Sequence, residues 1–133
     1  MNPLQPAVET GAEVVEAIYA AGHLLHARER WADAAAVFRL MLTASPTDER
    51  GWLALGDCHQ KAGQALIALE MYGAGTVAAA PAARCRLARV RLLRELGRDD
   101  EADAWWDELL EIAEQSDDET TRGLVAAESE CVS

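Results

Sequence analysis

Four side chains with metal-ligand or nucleophile chemistry, His23, His26, Asp57 and Cys58, are the first candidates for a reactive site. Two imidazoles three positions apart on a helix can reach one ion. Cys58 falls in an apolar column described below, however, and no fourth ligand replaces it, so no metal is expected. No serine sits in a nucleophile turn and no glycine loop resembles a phosphate cradle. The 23 carboxylates lie mostly in polar stretches where solvation accounts for them. Neither catalytic residues nor a cofactor are expected.

Charge narrows the choice of partner. The formal net charge is −11 and the sequence pI about 4.6, a field that repels phosphate backbones and anionic membrane surfaces. Nucleic acid is therefore not expected as a partner. Arginines crowd the stretch from Arg84 to Arg98, and carboxylates dominate from Asp99 onward. Neutralisation by Asp99, Asp100, Glu101, Asp103 and Asp107 on the next helix is the plainer account; an acidic partner segment is the alternative. The three cysteines, Cys58, Cys85 and Cys131, show no short pair spacing and read as reduced thiols of a cytoplasmic protein. Met1 to Pro6 has no basic stretch or apolar core, so no secretory signal is expected. No apolar run approaches about 20 residues, so membrane insertion is not expected either.

Candidate groups need elements to position them, and a period supplies those elements. Ala34, Ala68 and Ala102 are 34 residues apart, as are Phe38, Tyr72 and Trp106. Gly22 and Gly56 keep that spacing, as do Gly63 and Gly97, while Leu24, Cys58 and Leu92 form a further column and Ile18 matches Trp52. The period and residue types are those of the tetratricopeptide repeat. A first helix carries apolar bulk and then a small residue. The second helix puts alanine at the backbone crossing and an aromatic residue one turn later. The fold class expected is all-α, an α-α superhelix of three repeats at about 13–46, 47–80 and 81–114. Residues 1–12 are expected to form a short flexible N-terminus, and 115–133 a short capping helix and acidic tail. Ser116-Asp117-Asp118-Glu119 reads as a capping box opening a helix through Ala127.

Unit three departs from the pattern. Arg86 and Arg89 stand where the first helix should be apolar, and Val90 replaces the small glycine. A slight turn of the helix that brings Leu87, Val90 and Leu93 inward is the expected remedy. Trp106 holds the core register, which leaves Trp105, about 100° round the helix, at a contact surface or under the cap. His59 is expected to be structural.

First helices of such units line the concave face, and residues three and four apart share one side of a helix. Glu16, Tyr19, His23 and His26 follow that spacing in unit one, Arg50, Leu53, Asp57 and Gln60 in unit two, and Arg84, Leu87, Arg91 and Arg94 in unit three. Tyr19, Leu53 and Leu87 should stack into an apolar strip bordered by His23, His26, Arg50, Asp57, Gln60 and Arg91. Such a strip suits a peptide whose backbone and side chains both need partners. A merely solvated helix face is the plain alternative.

With Ile18-Tyr19-Ala20, Val37-Phe38, Asp48, Trp52-Leu53-Ala54-Leu55-Gly56-Asp57-Cys58, Gln60 and Gly63-Gln64 in view, the chain resembles the class II chaperones of type III secretion systems. The resemblance runs from about Ala17 to Ile112 and is densest from Arg50 to Tyr72. It implies a bacterial cytoplasmic chaperone whose concave groove takes an extended segment of a secreted translocator protein. Chaperones of the needle or filament subunit, and adaptors or regulators of unrelated assemblies, are the alternative functions. Family dimers use a longer N-terminal helix than Met1 to Ala12 would provide, so a homodimer stays open. His23 and His26 stand where relatives often have tyrosines, which implies a partner segment of different shape or polarity.

Overall fold

The computed structural model describes residues 11–132; residues 1–10, which carry most of the expected N-terminal segment, lie outside them. The described residues form α1 (Gly11–Ala27), α2 (Trp31–Ala44), α3 (Glu49–Lys61), α4 (Ala65–Ala78), α5 (Ala83–Glu95), α6 (Asp99–Gln115) and α7 (Glu119–Val132). Each helix packs on the next, α3 also packs on α5, and α7 folds back against both α6 and α5. This is an all-α superhelix of three helix pairs closed by a terminal helix.

The 34-residue columns are packing positions. Ala34, Ala68 and Ala102 are each 0% exposed, as their place at the backbone crossings requires. Phe38 and Tyr72 are buried against the glycines of their own units. A Cβ built on Gly22 would lie 2.5 Å from the Phe38 ring, and one on Gly56 would overlap the Tyr72 ring. In unit three the buried Val90 fills the glycine position, and Trp106 is correspondingly only half-buried. Leu87, Val90 and Leu93 are all turned inward, at 3%, 0% and 0% exposure. Leu24 breaks its column: it is 53% exposed while Cys58 and Leu92 are buried. α2 packs on α3 and α4 on α5, covering Cys58 and Leu92, whereas α1 is the first helix described.

The turns repeat as faithfully as the helices. Arg30 N–H donates to Leu25 C=O (3.0 Å), Gln64 N–H to His59 C=O (2.8 Å) and Arg98 N–H to Leu93 C=O (2.9 Å). The residues before these donors, Glu29, Gly63 and Gly97, have φ of 60°, 79° and 75° and donate to His26, Gln60 and Arg94. Those paired bonds and the left-handed residue are the Schellman ending of a helix. Glycine supplies the conformation without strain in units two and three, and Glu29 adopts it in unit one.

Carboxylates hold the starts of α3, α5 and α7. The Asp48 side chain accepts from Arg50 N–H at 3.1 Å and caps α3. Glu49 reaches across the repeat junction and accepts from Arg84 N–H (3.1 Å) and Cys85 N–H (3.3 Å) at the start of α5. The terminal helix is capped by Asp118, which accepts from Thr120 N–H and the Thr121 hydroxyl. Ser116 instead accepts from Asp118 N–H, so the expected capping box is replaced by a single cap two residues later, at Asp118. The helix then runs to Val132, past the expected Ala127.

Candidate binding groove

The first helices α1, α3 and α5 stand side by side, and the hollow between them is the candidate site. Tyr19, His23, His26, Arg50, Leu53, Asp57, Gln60 and Arg91 line one cavity of about 410 Å³. Ala54, Tyr72, Ala88 and Glu95 complete its lining. Leu87 is not among them. It is 3% exposed, packed with Ala83, with Leu109 and Ala113 of α6 and with Val125 of α7. The expected strip of Tyr19, Leu53 and Leu87 is therefore corrected to Tyr19 and Leu53, continued at its floor by Ala54 and Ala88. The inward turn that buries Val90 and Leu93 carries Leu87 with it.

Tyr72 is the residue that reasoning from first helices alone misses, since it belongs to α4. Its ring passes the bare Cα of Gly56 and reaches the cavity, where its hydroxyl donates to Gln60 Oε1 at 2.9 Å. Burial pushes that hydroxyl well above its usual pKa. Ala54 and Ala88 are legible in retrospect, being small residues 34 apart.

The polar rim is organised by ion pairs between units. Arg50 donates to Glu16 Oε1 at 2.6 Å and to Asp48 Oδ2 at 2.8 Å, with its guanidinium 4.5 Å from the Tyr19 ring centre. The hydrogen bonds it donates, to Asp48 first and Glu16 second, raise the Arg50 pKa and lower that of both carboxylates. His26 Nε2 meets Asp57 Oδ2 at 2.5 Å, joining units one and two. His23 packs edge-on to Tyr19, with ring centres 4.4 Å apart. Arg91 donates from Nε (3.0 Å) and an Nη (2.6 Å) to the Glu128 carboxylate on α7. This last pair ties the cavity-lining Arg91 to α7.

The groups first considered for chemistry are placed differently. Cys58 is 1% exposed, and burial pushes its thiol up to about 11, so it faces the core as a neutral group. Among the described residues no cluster of three or more His, Cys, Asp or Glu is placed to hold a metal ion. His59 is buried between Arg39 (2.9 Å) and Gln64 (2.7 Å), a structural position. The arginine cluster is engaged within the chain: Arg86 pairs with Glu108, Arg98 with Glu101 and Arg91 with Glu128. Of the acidic partners expected for it, Glu101 takes part. Trp105 is half-buried with the Arg86 and Arg89 guanidinium groups over its ring, at 5.6 and 4.5 Å.

No family model and no curated protein matches the chain. Solved structures do. The type III secretion translocator chaperone SycD of Yersinia enterocolitica superposes with a TM-score of 0.77 over 98% of this chain and 96% of its own, at 22% identity. PcrH of Pseudomonas aeruginosa gives 0.73 over 90% of this chain and 92% of its own, at 25% identity. The fold is that of SycD and PcrH. A further structure, SycD with a peptide of the translocator YopD, gives 0.73 over 89% of this chain and 88% of its own, at 23% identity. Identities this low carry the fold, so the chemistry of the groove rests on this chain's own residues. No helix among the described residues is long and apolar enough to cross a membrane.

Proposed function

We propose that this chain is a cytoplasmic chaperone of a type III secretion system, binding a segment of a translocator subunit in its concave groove. The observation that carries the proposal is the cavity itself: an apolar floor of Leu53, Ala54, Ala88 and Tyr72 inside a rim of hydrogen-bonding groups. An extended segment brings both requirements at once, apolar side chains that need burial and backbone groups that need partners. At about 410 Å³ the cavity falls within the ordinary range for ligand sites, about 300–1,000 Å³, and suits a few side chains entered in sequence. Structures of the same fold hold such cargo: SycD with a YopD peptide, and PcrH with the chaperone-binding regions of PopB and PopD. Holding the segment would keep an apolar translocator soluble and unassembled before export.

The role is binding and needs no reacting group. A direct test is co-expression with a translocator subunit encoded in the same genome. The proposal expects that subunit to become soluble and co-purify with the chain, with a groove-bound stretch protected from protease. A subunit that aggregates equally with and without the chain would reject the proposal.

A further inference from the structure

Unit three treats its concave side differently from units one and two. Leu87, in register with Tyr19 and Leu53, is packed between Leu109 and Ala113 of α6 and Val125 of α7, and Arg91, in register with His23 and Asp57, is held by Glu128. The residues of α7 that do this lie on one stripe. Thr121, Val125 and Glu128 are 5%, 9% and 7% exposed, and Leu124 packs beside them. Their spacing of three and four is that of an amphipathic helix seated in a groove.

A carboxylate as deeply buried as Glu128 is costly unless paired, so its bond to Arg91 specifies the seat, while Val125 and Leu124 supply the apolar contact. The stripe is short. The helix itself is a poor former, with Thr120, Thr121 and Gly123 in its first two turns, and 14 residues are marginal for an isolated helix. A small apolar seat, the Arg91–Glu128 ion pair and weak intrinsic helicity describe a contact that opens without unfolding the rest.

We propose that α7 is a displaceable internal ligand of the third repeat, closing the last third of the groove until a longer occupant takes its place. Displacement would release Arg91 and uncover the side of Leu87 that Val125 covers, beside Ala88, extending the strip that Tyr19 and Leu53 begin. The groove would then have two lengths, and the helix would select among partners by the length of segment they offer. The inference needs the concave groove but not the identity of its occupant, so it can fail while the translocator reading stands, and the reverse.

The experiment uses the full chain. Glu128→Arg sets two cations face to face and should unseat α7; adding Arg91→Glu restores the pair in reverse. Hydrogen exchange should be at least about tenfold faster over residues 119–132 in Glu128→Arg, unchanged in α2 to α4, and returned toward wild type in the double variant. A labelled synthetic peptide of residues 119–132 should bind Glu128→Arg at least about tenfold more tightly than wild type, whose seat is filled. Val125→Asp should open the seat by the apolar route and give the same ordering. Wild-type exchange over 119–132 in both single variants, or equal peptide binding to variant and wild type, would overturn the proposal.

Discussion

Gly56 lies so close beneath the ring of Tyr72 that one carbon added at its α position would overlap the ring. Gly22 and Phe38 stand in the same relationship one repeat earlier. Two effects meet there, since the glycine lets the second helix close on the first and lets Tyr72 reach the groove floor. Gly56→Val should therefore destabilise the fold by about 1–3 kcal/mol by overpacking and also displace the Tyr72 hydroxyl from Gln60. Urea unfolding of Gly56→Val beside Ala68→Leu, at a site that is 0% exposed, checks this. Unfolding midpoints equal to wild type would remove the packing account.

Glu29 has φ of 60° at the position where the next two units have Gly63 and Gly97. Its side chain is exposed, so replacing it removes strain without removing packing. Glu29→Gly is expected to stabilise the chain by about 1 kcal/mol, and Gly63→Ala to destabilise it by a similar amount. Thermal and urea midpoints measure both; opposite signs would contradict the turn assignment.

Arg50 holds Glu16 and Asp48 below their ordinary values of 4.5 and 3.8, mainly through its hydrogen bonds to them. Groups whose folded pKa is depressed stabilise the fold above the unfolded pKa, and that contribution is lost as pH falls through the folded value. The loss should begin below about pH 4.5 and deepen below 3.8. Arg50→Gln should be less stable at neutral pH and lose less on acidification between about pH 6 and 3. Parallel acid profiles for variant and wild type would show that the pairs contribute nothing.

Much of this architecture was legible from spacing alone. The alanine column, the glycine–aromatic pairs and the two turn glycines each follow from a local rule that repeats every 34 residues. Eight of the nine expected groove residues line one cavity because the register of α1 and α3 is set by those columns. What a repeat cannot encode is how the stack ends. Leu87 obeys the same spacing as Leu53, yet it is packed against α6 and also against Val125 of α7, which belongs to no repeat. Leu24 fails at the opposite end for a related reason, its column partners being covered by neighbours it lacks among the described residues. Tyr72 was missed because its contribution passes through the empty space beside Gly56, which is a property of two helices together.

Leu53 tests the central claim most directly, since it lines the cavity beside Tyr19, Ala54 and Ala88 and is only half-buried. A carboxylate there would be desolvated without a partner once a segment bound, at a cost of several kcal/mol, while in the free chain it would stay wet. The measurement is co-purification of a translocator subunit from the same genome with Leu53→Glu and with the exposed-site control Glu70→Lys, folding being verified by circular dichroism. The account predicts two folded chains, with the subunit retained by Glu70→Lys at wild-type level and lost from Leu53→Glu. Equal retention by both variants would contradict it.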